Sequence, residues 1–213
     1  MHDEAASYYQ HTIDQMRLGL IFLKEEFEFV PEIAWFIDPF GHSASNAYIL
    51  SKMGFKKIAI VRIDYSEKEQ RKKKKTLEFY WVPFNKFDNT VKIFTHVTYG
   101  HYCPPSSLDS FDQDKKKYPF FLRKLFIASL FVREMKIQSE AFRHKHMMVM
   151  FGCDFTFNKR GINYENIESI MDFINDWKIL GYKTKVKYSL PSKYFNEIFN
   201  EVENWPNYEN EDF

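Results

Sequence analysis

The chain is 213 residues long, with a formal net charge of +1, 45% hydrophobic residues and 28% charged residues. That is enough for one ordinary domain or a large piece of a bigger one, and too apolar for a disordered chain. The near-neutral charge gives no support to a nucleic-acid or acidic partner, and no run reaches the ~20 apolar residues of a membrane span.

The opening "MHDEAASYY" is polar and acidic, unlike a secretory signal. Residues 4–26 read as a helix, because Tyr9, Ile13, Met16, Leu20, Leu23 and Phe27 recur at three- and four-residue steps. Pro31 closes that region, and "EIAWFI" (32–37) is an apolar run of strand length. "SASNAYILSKMGF" (43–55) has helical spacing, a Ser43 cap and a Gly54 stop. "KKIAIVRI" (56–63) and "VKIFTHV" (91–97) are strand-like. The run "RKKKK" (71–75) reads as a solvated helix face rather than a nucleic-acid or targeting patch.

Residues 98–116 form a long loop rich in Tyr, Pro, Ser and Asp, and loops of that length are often functional. A core helix is expected over 117–142 and a strand at "HMMVMF" (146–151). A helix over 164–180 rests on Ile167, Ile170, Met171, Ile174 and Trp177, and stops at Gly181. "KVKYSL" (185–190) reads as a fifth strand, and Pro191 starts a last short helix. Alternating helix and strand argue an α/β architecture of parallel strands buried on both faces. The 23 Phe residues are read as core packing before sugar-facing walls. Cys103 and Cys153 are too few for a disulfide framework or a zinc knuckle.

Such folds bind ligands where strands end and the following loops converge. Asp38 follows the strand at 33–37, and Arg62 and Asp64 end the strand at 57–63. Tyr99, His101 and Tyr102 lie past the strand at 91–97, and Asp154 follows that at 146–151. Paired carboxylates with aromatics suit glycoside hydrolysis, one attacking the anomeric carbon or activating water and the other protonating the leaving oxygen. The same pair suits a metal, with His42 or His101 close by. Equally, Asp38 and Asp154 could be simple helix caps.

The segments carrying these residues resemble glycoside hydrolase family 38, the class II α-mannosidases. "AWFIDPFGHS" is similar to the family signature, and "DEAASYYQHTIDQMRLGLIFLKEEF" to the helix before it. "MGFKKIAIVRIDYSEK", "GHYCPP", "FGCDFTF" and "YSLPSKYF" follow in the family's order, the last three resembling "GYNPP", "MGSDFQY" and "YSTPACYL". The single-Asp form of the "GSDF" motif looks like the lysosomal and vacuolar branch.

The resemblance implies one partial catalytic domain over 1–213, a partial (β/α)7 barrel of parallel strands alternating with helices, incomplete at both ends. It implies Asp38 as catalytic nucleophile and zinc ligand, Asp154 as general acid/base, and Phe40, Arg62 and Tyr102 as residues that contact mannose or support the nucleophile. The implied reaction is a retaining, zinc-assisted release of terminal α-mannosyl residues from oligosaccharides or glycoprotein glycans. The implied setting is lysosomal, vacuolar or secreted.

Departures from the family pattern matter too. The family's other zinc ligands come from "HND" and "HHDA" motifs that this sequence lacks, so one of four Zn2+ ligands is expected here and the chain alone is expected to be inactive. A catalytically dead relic that binds carbohydrate or a partner is the alternative, and a polysaccharide deacetylase-like barrel a more distant one. His42 is expected to brace its loop, His101 to be a solvated loop histidine, and Cys153 a small buried filler. Oligomeric state is not readable from these residues.

Overall fold

The computed structural model describes all residues except 110–119, 156, 158–161 and 177–182. They group into two compact units. The first comprises Met1–Tyr99, Ala141–Arg143 and Phe199–Phe213, and the second Gly100–Glu140 and His144–Ile198.

The first unit is built on a five-stranded sheet of β1 (Ile33–Phe36), β2 (Lys57–Ile60), β3 (Glu78–Val82), β4 (Ile93–Val97) and β5 (Asn207–Glu209), in the order β1-β2-β4-β3-β5. With it come the helices α1 (Tyr9–Phe27), α2 (Ala44–Lys52) and α3 (Tyr65–Lys74). β1 pairs β2 and β2 pairs β4, both parallel, with Phe36 opposite Ile60 and Ile60 opposite Val97. A parallel return requires a crossover, and α2 supplies it between β1 and β2.

The expectation of purely parallel strands is corrected at β3, which runs antiparallel to β4. Only a short helix-free connection joins them, and such a connection allows a reversal but not a crossover. Residues "EFYWV" (78–82) are aromatic and β-branched, a strand signal that the sequence reading passed over beside the lysine run. β5 then pairs parallel on the outer side of β3.

All five residues of β4 are buried, as a central strand covered on both faces demands. Burying an aliphatic side chain such as Ile93 or Val97 contributes about 1.5–3 kcal/mol. The polar pair in this layer is matched. His96 and Glu78 stand opposite each other in register, and His96 Nδ1 lies 2.7 Å from Glu78 Oε1.

The helix ends follow local chemistry. Ser43 Oγ accepts from Asn46 N at 3.1 Å, and Gly54, at φ 99, supplies the left-handed stop for α2. Asp64 caps α3 by accepting from Glu67 N at 3.0 Å, so it is a structural cap rather than a strand-end site residue. The lysine run is helical as expected, but Arg71 is buried. Its guanidinium sits over the rings of Phe79, Tyr208 and Phe213 and pairs with Glu67. α1 starts at Tyr9 rather than residue 4, and only Thr12 on it is buried. Leu18, Phe22 and Phe27 face solvent.

The second unit holds α4 (Ser106–Asp109), α5 (Phe120–Ser139) and α6 (Ile162–Asp176), and the chain leaves it through α7 (Pro191–Glu201). Ile127, Phe131 and Met135 on α5 pack with Ile170, Phe173 and Ile174 on α6. Steps of four on α5, and of three and four on α6, give each helix one apolar stripe. Residues 110–116, the end of the expected long loop, 117–119, the expected beginning of α5, and 177–181, the expected end of α6 with Trp177 and Gly181, lie outside the described residues.

Two expected strands are absent here. Residues 146–151 are irregular, and their mostly half-buried side chains lack the two-sided cover a parallel strand needs. In 185–190 only Val186 is partly buried. Its N–H donates to Asn175 Oδ1 at 2.9 Å and its carbonyl accepts from Asn175 Nδ2 at 2.7 Å. A side-chain amide of α6 stands where a neighbouring strand would pair. Among the described residues, no helix is long and apolar enough to cross a membrane.

Candidate active site

Asp38 and Arg62 each sit two residues beyond the paired ends of β1 and β2, so parallel register brings them side by side. Arg62 Nε and Nη2 both donate to Asp38 Oδ1, at 2.9 and 2.6 Å. Both side chains remain about a third exposed, 32% for Arg62 and 39% for Asp38, so the carboxylate is held without being sealed from ligand. Phe40 lies 81% exposed, with the Arg62 guanidinium 4.4 Å from its ring centre. The three residues form one local cluster of charge, counter-charge and aromatic face.

Several groups brace this cluster from below. His42 is buried and its Nε2 lies 2.9 Å from the Arg62 carbonyl oxygen, which ties the loop after β1 to the end of β2. Burial lowers the His42 pKa to about 4, so the imidazole is neutral at ordinary pH. Two carboxylates take the first amides of the segment opening α2. Ser43 N donates to Glu4 Oε2 at 2.7 Å and Ala44 N to Asp212 Oδ1 at 2.6 Å. Burial pushes the Glu4 carboxyl up, against the hydrogen bonds that stabilise its charge. Lys68 Nζ donates to the Val61 carbonyl at 2.7 Å, and burial lowers the ammonium to about 8.

Tyr102 and Asp154 form the other pair, within the second unit. The Tyr102 hydroxyl donates to Asp154 Oδ1 at 3.1 Å, with the phenol buried and the carboxylate exposed. Gly152 N donates to the Tyr102 carbonyl at 3.1 Å, so the two segments also meet through backbone. Next to both residues, Cys103 and Cys153 form a disulfide. This corrects the reading of Cys153 as a buried filler. Spacing of 50 residues in sequence does not announce a bridge, but their placement beside two candidate site residues was a usable signal. His101 is exposed, as expected for a loop histidine, and packs on Tyr102 with ring centres 4.0 Å apart.

Neither carboxylate is a helix cap. Ser43 caps α2, and a turn rather than a helix follows Asp154. Phe155 and Phe157 lie in the left-handed region at φ 60 and 61. Such values are uncommon for aromatic residues and cluster at functional turns. Phe155 is 90% exposed beside Asp154, an aromatic face that the sequence reading did not single out. An open groove of about 530 Å³ lined by Lys124, Glu165, Glu168 and Asp172 contains none of the candidate residues.

For a metal, the fit is incomplete. Among the described residues, no group of three or more His, Cys, Asp or Glu side chains is placed to hold an ion. Asp38 Oδ1 already takes two guanidinium N–H groups. The described residues therefore do not by themselves close a zinc site.

Two separately braced carboxylates, each beside an aromatic ring, are of the residue types that glycoside hydrolysis uses. The chain belongs to the glycosyl hydrolases family 38 N-terminal domain, whose model matches residues 1–211. It is 34% identical over 209 residues to a lysosomal alpha-mannosidase of Dictyostelium discoideum, covering 93% of this chain and 20% of that protein. An alpha-mannosidase of Arabidopsis thaliana is 34% identical over 215 residues, covering 97% of this chain and 20% of its own length. The crystal structure of an alpha-mannosidase from Enterococcus faecalis superposes with a TM-score of 0.68 at 14% identity, over 97% of this chain and 20% of that one. The chain thus spans about one fifth of the length of the relatives it matches.

Proposed function

We propose that these residues form part of a retaining α-mannosidase that releases terminal mannosyl residues from oligosaccharides or glycoprotein glycans. The observation that carries this reading is the Asp38–Arg62 pair at the ends of two parallel strands, in a chain of family 38. Lysosomal relatives support a lysosomal or vacuolar setting for the parent protein. The irregular second unit is read as the remainder of one partial domain of (β/α)7 type.

In the reaction, Asp38 attacks the anomeric carbon and a mannosyl–Asp38 ester forms as the glycosidic C–O bond breaks. Asp154 gives its proton to the departing oxygen, then takes one from the water that attacks the ester. Arg62 fixes the Asp38 carboxylate in orientation and balances its charge through two N–H donors. Tyr102 occupies Asp154 Oδ1, leaving Oδ2 to carry the transferable proton. Phe40 offers an apolar face to the sugar ring.

Zinc belongs to this proposal only for the parent protein. Asp38 is its one ligand here, and the others come from outside these residues. The 213-residue chain alone is inactive on this reading. The test is hydrolysis of an aryl α-mannoside with added zinc. The chain alone is expected to give no turnover. A longer polypeptide of the relatives' length is expected to turn over and to lose activity with chelator. Turnover by the chain alone overturns its inactivity. A longer polypeptide that binds mannose without turnover favours a carbohydrate-binding relic.

A further inference from the structure

The disulfide between Cys103 and Cys153 joins the two chain neighbours of the Tyr102–Asp154 pair. Three links therefore run in parallel between the same segments: the S–S bond, the Gly152 N–H donated to the Tyr102 carbonyl, and the Tyr102 hydroxyl donated to Asp154 Oδ1. No strand or helix supports Asp154, since 146–153 are irregular and 154–155 form a turn. The buried Tyr102 ring is the fixed member, with 7% exposure, while Asp154 is exposed. Among the described residues, the Tyr102 hydroxyl is the side-chain donor seen on this exposed carboxylate.

We propose that the Cys103–Cys153 disulfide is the positioning element of Asp154: closed, it holds the carboxylate on the Tyr102 hydroxyl, and opened by a dithiol, it releases that hydrogen bond. This rests on reading Asp154 as the acid/base. The cysteines act through Tyr102 and Asp154 and touch no substrate. The bridge makes proton transfer at Asp154 dependent on thiol redox state, in a chain whose other carboxylate, Asp38, is held by an arginine that thiols do not affect.

The chemistry balances with a dithiol as the reductant. One thiolate of the dithiol attacks a sulfur of the bridge, and the S–S electron pair leaves on the other cysteine. The second dithiol thiolate then expels the first cysteine, and the dithiol ends as its own cyclic disulfide. Two electrons and two protons finish on Cys103 and Cys153 as thiols. His101 Nδ1 lies 3.5 Å from Cys103 Sγ, placed to meet negative charge on that sulfur, so Cys153 is the attacked atom and Cys103 the leaving one.

The experiment needs no mannosidase activity, so its outcome is separate from that of the functional reading. The Asp154 carboxyl carbon is followed by NMR in the chain labelled at its aspartate carboxyl carbons, with and without Tyr102→Phe. In the oxidised chain, Tyr102→Phe is expected to displace the Asp154 resonance. After dithiothreitol, or with Cys103→Ser and Cys153→Ser together, the same substitution is expected to leave it in place. Exchange of the Gly152 amide is expected to rise about tenfold or more on reduction, while core amides of α5 and α6 keep their protection. An equal displacement before and after reduction overturns the proposal. So does the absence of the bridge from the oxidised chain's peptide map, or loss of α5 and α6 protection on reduction, which would make the bridge a global staple.

Discussion

The two carboxylates of this chain are held by opposite means. Asp38 is placed by regular structure: two parallel strands in register, an arginine on the next strand end, and a buried histidine tying the loops. Asp154 is placed by irregular structure: a turn, one tyrosine hydroxyl, one backbone hydrogen bond and a disulfide. The proposed nucleophile must meet one atom at one angle, and a strand-end framework supplies that rigidity. An acid/base exchanges protons with successive partners, and a turn on the surface keeps it open to water.

The comparison breaks most sharply at Asp38, the proposed nucleophile. In the longer polypeptide, Asp38→Asn is expected to lower kcat by about a thousandfold or more with the melting temperature little changed. Full activity in that variant sinks the assignment. Next in size, Asp154→Asn is expected to slow natural mannosides by about 10²–10⁴-fold, while aryl mannosides with good leaving groups keep their first step. A variant that slows both substrate types equally in that step removes Asp154 from the acid role.

The strand-end arm is sharpened by pH. His42 titrates at about 4 when folded against 6.5 when free. Between those values the unfolded chain binds a proton that the folded chain refuses, so folding stability is fully present above pH 6.5 and falls as pH drops. The loss is up to about 1.4 kcal/mol per pH unit and roughly 3 kcal/mol in all. Glu4, whose carboxyl is raised by burial, works in the opposite sense. Urea midpoints across this window are therefore compared with those of His42→Gln, whose slope is expected to be flatter. The smallest effect is at the turn. Phe155→Gly relieves a left-handed aromatic residue and is expected to change stability by about 1 kcal/mol or less in chemical melts. In the longer polypeptide it lowers activity if the exposed ring meets the sugar.

What the sequence revealed follows the same division. The strands at 33–36, 57–60 and 93–97 and the Ser43–Gly54 helix were legible, because apolar runs and caps act locally. The strand-end positions of Asp38 and Arg62 followed from them, but their adjacency came from the pairing of β1 with β2. β3 was missed and its direction with it, since strand direction depends on what the connecting loop permits. The segments 146–151 and 185–190 have strand-like sequences but pair with no strand among the described residues, which composition cannot reveal. The disulfide was missed for a related reason: only folding brings residues 50 apart in sequence together. The Asp154 region was thus legible as residues and illegible as geometry.

The strand order carries a kinetic consequence. β5, at Asn207–Glu209, pairs with β3, at Glu78–Val82, across most of the chain's length. The same tail brings Glu211, whose carbonyl accepts from the Trp81 indole N–H at 3.0 Å, and Phe213, whose ring meets the Trp81 ring at 4.8 Å. The first unit is interrupted in sequence by the second unit, so its edge strand β5 must find β3 from the far side of that insertion. Contacts at such separation are slow to form. Trp81, which meets Glu211 and Phe213, is accordingly placed to report the docking of the β5 segment on the sheet.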